Sequence, residues 1–111
     1  MKIGRGFKLD DAKIAKQDER YIVKDNNTLN NLVVSTTQLQ PSQQTNGHSH
    51  KGQEEVYIFT QGSGRMEIDD ALFDVYAGDT LIIEDGVFHK VYNHGQGVLK
   101  FMCVFDGRRD H

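Results

Sequence analysis

What most restricts the fold of this chain is the spacing of its turn signals. Gly62-Ser63-Gly64, Asp69-Asp70, Gly78-Asp79, Asp85-Gly86 and His94-Gly95-Gln96-Gly97 punctuate the second half at short, even intervals. Such clusters mark turns because glycine and aspartate tolerate backbone conformations that other residues resist. Between them lie the β-rich runs Val56-Tyr57-Ile58-Phe59, Leu72-Phe73-Asp74-Val75-Tyr76 and Thr80-Leu81-Ile82-Ile83, and an apolar run closes the series at 98–105. Short strands at this spacing predict an all-β sandwich or barrel. Asp85-Gly86 also reads as a hairpin dipeptide. In the first half, Arg20-Tyr21-Ile22-Val23-Lys24 and Leu32-Val33-Val34-Ser35-Thr36-Thr37 read as strands joined by a turn at Asp25-Asn26-Asn27. Residues 40–45 form a polar loop, and residues 9–19 are read as a short helix begun at Asp10 or Asp11, within an N-terminal arm spanning 1–19. Residues 106–111 read as a charged, solvated tail. The 111 residues suit a single domain with one modest core, without internal repeat or dividing linker.

The chemistry centres on Gly47-His48-Ser49-His50-Lys51-Gly52-Gln53-Glu54-Glu55, answered downstream by Gly86-Val87-Phe88-His89. Histidines one residue apart share a face of a strand, because side chains alternate there with period two. Glu55 falls on the opposite phase from His50, and the bend that Lys51-Gly52 permits returns its carboxylate to the same side. His89 arrives from a distant part of the chain. Three neutral imidazoles and one carboxylate suit one divalent transition metal ion: Mn, Fe, Co, Ni or Zn. Glu54 is the competing acid, but strand phase turns it outward.

Glu55 is followed by Gly62, and the second block runs Gly78, Gly86, His89 and Asn93 at fixed offsets. These two blocks resemble the cupin signatures H-x-H-x4-E-x6-G and G-x5-P-x-G-x2-H-x3-N. Glu84 stands at the proline position of the second, which touches no ligand but alters a turn before the strand. The resemblance covers 47–93 and implies a double-stranded β-helix, or jelly-roll barrel, with His48, His50, Glu55 and His89 as metal ligands. It also implies a homodimer, since small single-domain cupins are commonly dimers.

Phase names the other pocket residues. If Glu55 faces inward, so do Tyr57 and Phe59, while Val56 and Ile58 form an outer apolar pair that needs a cover, which a second subunit supplies. With His89 inward, Val87 and Val91 join it. Tyr57, two positions past a ligand, is the candidate catalytic residue: its phenol reaches the substrate side of the ion as hydrogen-bond partner or base. The opposing reading packs Tyr57 in the barrel with its hydroxyl bound to a neighbouring strand. Asn93 reads as shaping a strand end and His94 as solvent-facing.

The net charge of −3 arises from scattered residues without a basic stripe, which excludes nucleic acid as a partner. No apolar run approaches membrane-spanning length and no apolar leader opens the chain, so a cytoplasmic protein without membrane contact is expected. The single Cys103 lies in the apolar 98–105 run and reads as a small buried hydrophobe. An open metal site in an apolar, aromatic wall points to a small-molecule ligand or substrate. The leading expectation is isomerase or epimerase-like chemistry on a sugar or related polyhydroxy or carbonyl compound, with the ion as Lewis acid. A non-haem Fe(II) dioxygenase is the first alternative, and a non-catalytic ligand-binding or regulatory module the second.

Overall fold

Four of the five turn clusters in the second half fall between strands, and of Gly62-Ser63-Gly64 only Gly62 does, since Ser63 opens the strand that follows. A computed structural model describes residues 12–107 and residue 109. Its strands are β1 (Lys13–Gln17), β2 (Tyr21–Asn26), β3 (Leu32–Leu39), β4 (Glu55–Gln61), β5 (Ser63–Ile68), β6 (Ala71–Tyr76), β7 (Thr80–Ile83), β8 (His89–Tyr92) and β9 (Leu99–Asp106). They pair antiparallel in a six-stranded sheet, ordered β1-β2-β3-β9-β4-β7, and a three-stranded sheet, β6-β5-β8. The all-β expectation holds, and the chain wraps as a double-stranded β-helix.

Register stacks the inward side chains in rows across the large sheet. Val33, Phe105, Glu55 and Ile83 form one row. Asp25, Ser35, Cys103, Tyr57 and Leu81 form the next. Val23, Thr37, Phe101 and Phe59 follow. The alternation read for β4 is present: Glu55, Tyr57 and Phe59 are buried while Val56 and Ile58 are half-buried on the outer face. Phe59, Leu39, Met66, Val75 and Leu99 fill the core away from the histidines. Gly62 turns from β4 into β5 with φ of 85°, in the left-handed region where a side chain is strained.

Four expectations need correction. Residues 13–17 form β1 rather than a helix; positions 9–11 of that expectation lie outside the described residues. Too few apolar residues stand there to seat a helix, whereas the open edge of β2 satisfies the backbone of an added strand. Asp25 and Asn26 continue β2 opposite Ser35 and Val34, so the turn begins two residues later. Asn26 Oδ1 then accepts from the Thr28 backbone and hydroxyl at 3.2 and 2.8 Å, and starts that turn itself. Asp85-Gly86 does not close a hairpin: β7 belongs to the large sheet and β8 to the small one, so the dipeptide makes a turn that crosses between sheets. The 106–111 tail is not wholly solvated either, since Arg109 folds back against the barrel, with its side chain 17% exposed.

Candidate metal centre

The histidine segment is not a regular strand. His48 forms one isolated bridge with His89, made by reciprocal backbone bonds of 3.1 and 3.0 Å. That pair fixes a residue of the loop directly against the first residue of β8. The next residues bend as the sequence requires: Gly52 has φ of 90°, and its N–H donates to Asp85 Oδ1 at 2.7 Å. Gly86 N–H donates to the His50 carbonyl at 2.9 Å. The crossing turn and the histidine loop therefore hold each other. Where the family pattern has proline, Glu84 is exposed, and its carbonyl closes the turn by accepting from Val87 N–H at 3.1 Å.

Ligand atoms of His48, Glu55 and His89 all lie within 4.8 Å of one another. Glu55 and His89 are 3% and 2% exposed. The His89 Nδ1 lies 3.0 Å from the Val87 carbonyl, which can only accept, so Nδ1 carries a proton and Nε2 is the nitrogen turned to the site. That Nε2 approaches Glu55 Oε1 to 3.1 Å, yet neither atom has a partner in hydrogen-bonding geometry among the described residues. A ring nitrogen and a carboxylate oxygen this close, without a hydrogen bond between them, present two donors to one cation. Buried, oriented nitrogen and oxygen donors thus fit a divalent transition ion. His50 stands beside this set, its ring 4.5 Å from that of His48 and 6.3 Å from that of His89, although its nitrogens are not among the atoms within 4.8 Å.

Tyr57 walls the site. Its ring lies 5.5 Å from His89 edge-on and 5.5 Å from Phe101 in a stack. The hydroxyl hydrogen-bonds the Cys103 thiol directly opposite on β9. Burial raises the Tyr57 pKa well above 10, with the nearby Cys103 and Glu55 adding to the shift. Burial likewise pushes the Cys103 thiol up, so it remains protonated at neutral pH, as befits a buried apolar residue. Asn93 is buried, donating to the Leu39 and Gly97 carbonyls at 3.0 and 2.9 Å and accepting from Gly95 N–H at 2.9 Å. It shapes the strand end. Glu54 and His94 are exposed.

One functional candidate has no counterpart in the motifs. Arg109 donates through Nε and Nη2 to Asp25 at 2.7 and 2.9 Å, and through Nη2 to Ser35 Oγ at 2.8 Å. The readable sign was Asp25 itself: after Tyr21 and Val23 its phase is inward, and an inward carboxylate calls for a cation.

A model of the cupin domain matches residues 35–105. An uncharacterized protein of Methanocaldococcus jannaschii is 39% identical over 56 residues, 50% of this chain and 45% of the relative. The match thus spans less than half the length of that relative. Among solved structures, KdgF from Halomonas sp. superposes with a TM-score of 0.78 at 14% identity, over 88% of this chain and 90% of its own. A conserved protein with a double-stranded β-helix domain from Klebsiella pneumoniae gives 0.75 at 20%, over 84% and 82%. A protein described as a predicted oxalate decarboxylase from Thermotoga maritima gives 0.68 at 23%, over 77% and 80%. At such identities the structural likeness speaks for the fold.

Proposed function

The chain belongs to the cupin family, and from that premise we propose that it is a metal-dependent enzyme acting on a small molecule, in one domain spanning 1–111. The observation that carries this reading is the convergence of half-buried His48 with buried Glu55 and His89, with Glu55 Oε1 and His89 Nε2 lacking hydrogen-bond partners among the described residues. His50 is the fourth ligand in this proposal, brought in by rotation of a ring that already lies beside His48. The ion, when bound, supplies a Lewis acid that polarises a carbonyl or hydroxyl oxygen.

The residues of the chain do the rest. His89, oriented through Nδ1, offers a ring nitrogen to a divalent ion, and the Glu55 carboxylate offsets one of its two charges. Tyr57, Phe59 and Phe101 exclude water from one side. The Tyr57 hydroxyl donates to the Cys103 sulfur, and a bound substrate oxygen is the competing acceptor for that proton. As a neutral phenol Tyr57 is a hydrogen-bond donor rather than a base. Isomerisation or epimerisation of a polyhydroxy or carbonyl compound would draw on such a site for a polarised oxygen and a positioned donor, and needs besides them a base to take the carbon-bound proton. Fe(II)-dependent dioxygenation and ligand binding without turnover are the rival uses of these residues.

A second copy of the chain is the proposed cover for the outer face of the large sheet. Ile82, Val56, Val104 and Val34 lie directly opposite one another there, with Ile58 and Met102 paired in the next row. Ile82 is 65% exposed. A continuous apolar row on a sheet face matches itself about a two-fold axis.

Elemental analysis of the purified chain tests the metal reading. About one transition metal ion per chain is expected. Manganese, nickel, cobalt or zinc supports the isomerase reading and iron the dioxygenase. No bound metal after exposure to each of these ions leaves only ligand binding.

A further inference from the structure

Arg109 lines two cavities. The smaller, of about 50 Å³, also contacts Lys16, Asn46, Thr37, Phe101 and the proposed ligand His48. It has the volume of one to two waters, which is also the size of a carboxylate group. The larger, of about 500 Å³, presents the amides of Asn27, Asn30 and Asn31 beside Asp25 and Gly107.

The guanidinium is only partly engaged. Nε and both protons of Nη2 go to Asp25 and Ser35. Both protons of Nη1 have no acceptor among the described residues. Lys16 and Arg109 line the small cavity as two cations, and among the described residues Asp25 pairs with Arg109 while its charge also reaches Lys16. We propose that Arg109 and Lys16 form an anion subsite beside the metal centre, which holds the carboxylate of a small ligand whose oxygen-bearing remainder reaches the ion or the amide-lined cavity. The proposal rests on the metal reading for that ligand's second point of attachment, and names the substrate class as a small carboxylate carrying further hydroxyl, carbonyl or carboxyl oxygens.

Two more observations agree. The Lys16 ammonium is held below its usual pKa, chiefly by partial burial and next by the charge of Arg109, so an anion placed between the two relieves their repulsion. Arg109 also sits over the Phe105 ring at 5.1 Å, which fixes the plane of its fork. A planar guanidinium held in this way suits the two oxygens of a carboxylate better than an ammonium would.

Calorimetric titration with malonate, and with neutral malonamide, of the full chain with zinc and after chelation tests the subsite. Malonate is expected to bind in both preparations, more tightly with zinc, and malonamide in neither. Arg109→Gln weakens malonate at least tenfold in both preparations while zinc content stays constant. Lys16→Met weakens it three- to tenfold and leaves the Arg109–Asp25 pair intact, so it decides the matter if Arg109→Gln does not fold. Equal malonate affinity in wild type and both variants overturns the proposal, and so does the absence of malonate binding in a chain that takes up zinc. If wild type takes up no zinc but binds malonate through Arg109, the metal reading fails and the subsite stands.

Discussion

Toward one end of the barrel interior, Leu39, Phe59, Met66 and Leu99 are at most 1% exposed, and the polar Asn93 among them has every amide partner satisfied. Toward the other end, Asp25, Ser35, Glu55 and His89 are 0–9% exposed, and Glu55 and His89 present atoms that no group among the described residues completes. Both ends belong to the same strands: β4 supplies Glu55 to one and Phe59 to the other, and β9 supplies Cys103 and Leu99. Burying unpaired polar atoms costs stability. The apolar end offsets that cost and holds the backbone, which leaves the polar end free to keep donors aimed at a guest. The division of labour is therefore along the strands rather than between sheets.

The sharpest way to break this contrast is to remove a ligand. His50→Ala is expected to lower bound metal from about one ion per chain to below a tenth. Its far-ultraviolet circular dichroism should stay that of a β-barrel, because the apolar end is untouched. Metal content equal to wild type would remove His50 from the site. Phe59→Ala probes the opposite end, and a loss of about 3–5 kcal/mol is expected in urea unfolding, with metal per folded chain unchanged. Were it to release metal from folded protein, the two ends would not be independent. A smaller effect is expected outside the barrel: Ile82→Lys should weaken the proposed dimer by on the order of 2 kcal/mol, from the apolar burial it forfeits. Light scattering reads this directly. A monomeric mass for wild type at micromolar concentration would show that the outer row has no self-partner.

Much of this contrast is legible in sequence, for a physical reason. Period-two burial makes β4 readable, since Glu55, Tyr57 and Phe59 alternate with Val56 and Ile58, and glycine at Gly52 and Gly62 marks positive φ. Local rules reach that far. They do not say which edge a weak segment will join, so the strand at 13–17 was unreadable from its own residues. Nor do they say which sheet receives the chain after a turn, as at Asp85-Gly86. The Arg109–Asp25 pair spans 84 residues and carries no local pattern beyond the inward phase of Asp25.

Tyr57 stands where the two ends meet, so its hydroxyl gives the finest test. The ring stacks on Phe101 toward the apolar end and faces His89 toward the polar one. The hydroxyl hydrogen-bonds Cys103. Tyr57→Phe keeps the ring and deletes that bond. Loss of one buried neutral hydrogen bond costs about 1 kcal/mol, so a small fall in urea midpoint is expected, with metal content unchanged. If the phenol also donates to a substrate oxygen, turnover or ligand affinity per folded chain should drop by about tenfold or more. A variant that loses stability but keeps full activity per folded molecule would assign Tyr57 wholly to the apolar end. The donor would then have to come from elsewhere, and Arg109, bonded to Asp25 and Ser35 of the polar row, has Nη1 protons with no acceptor among the described residues.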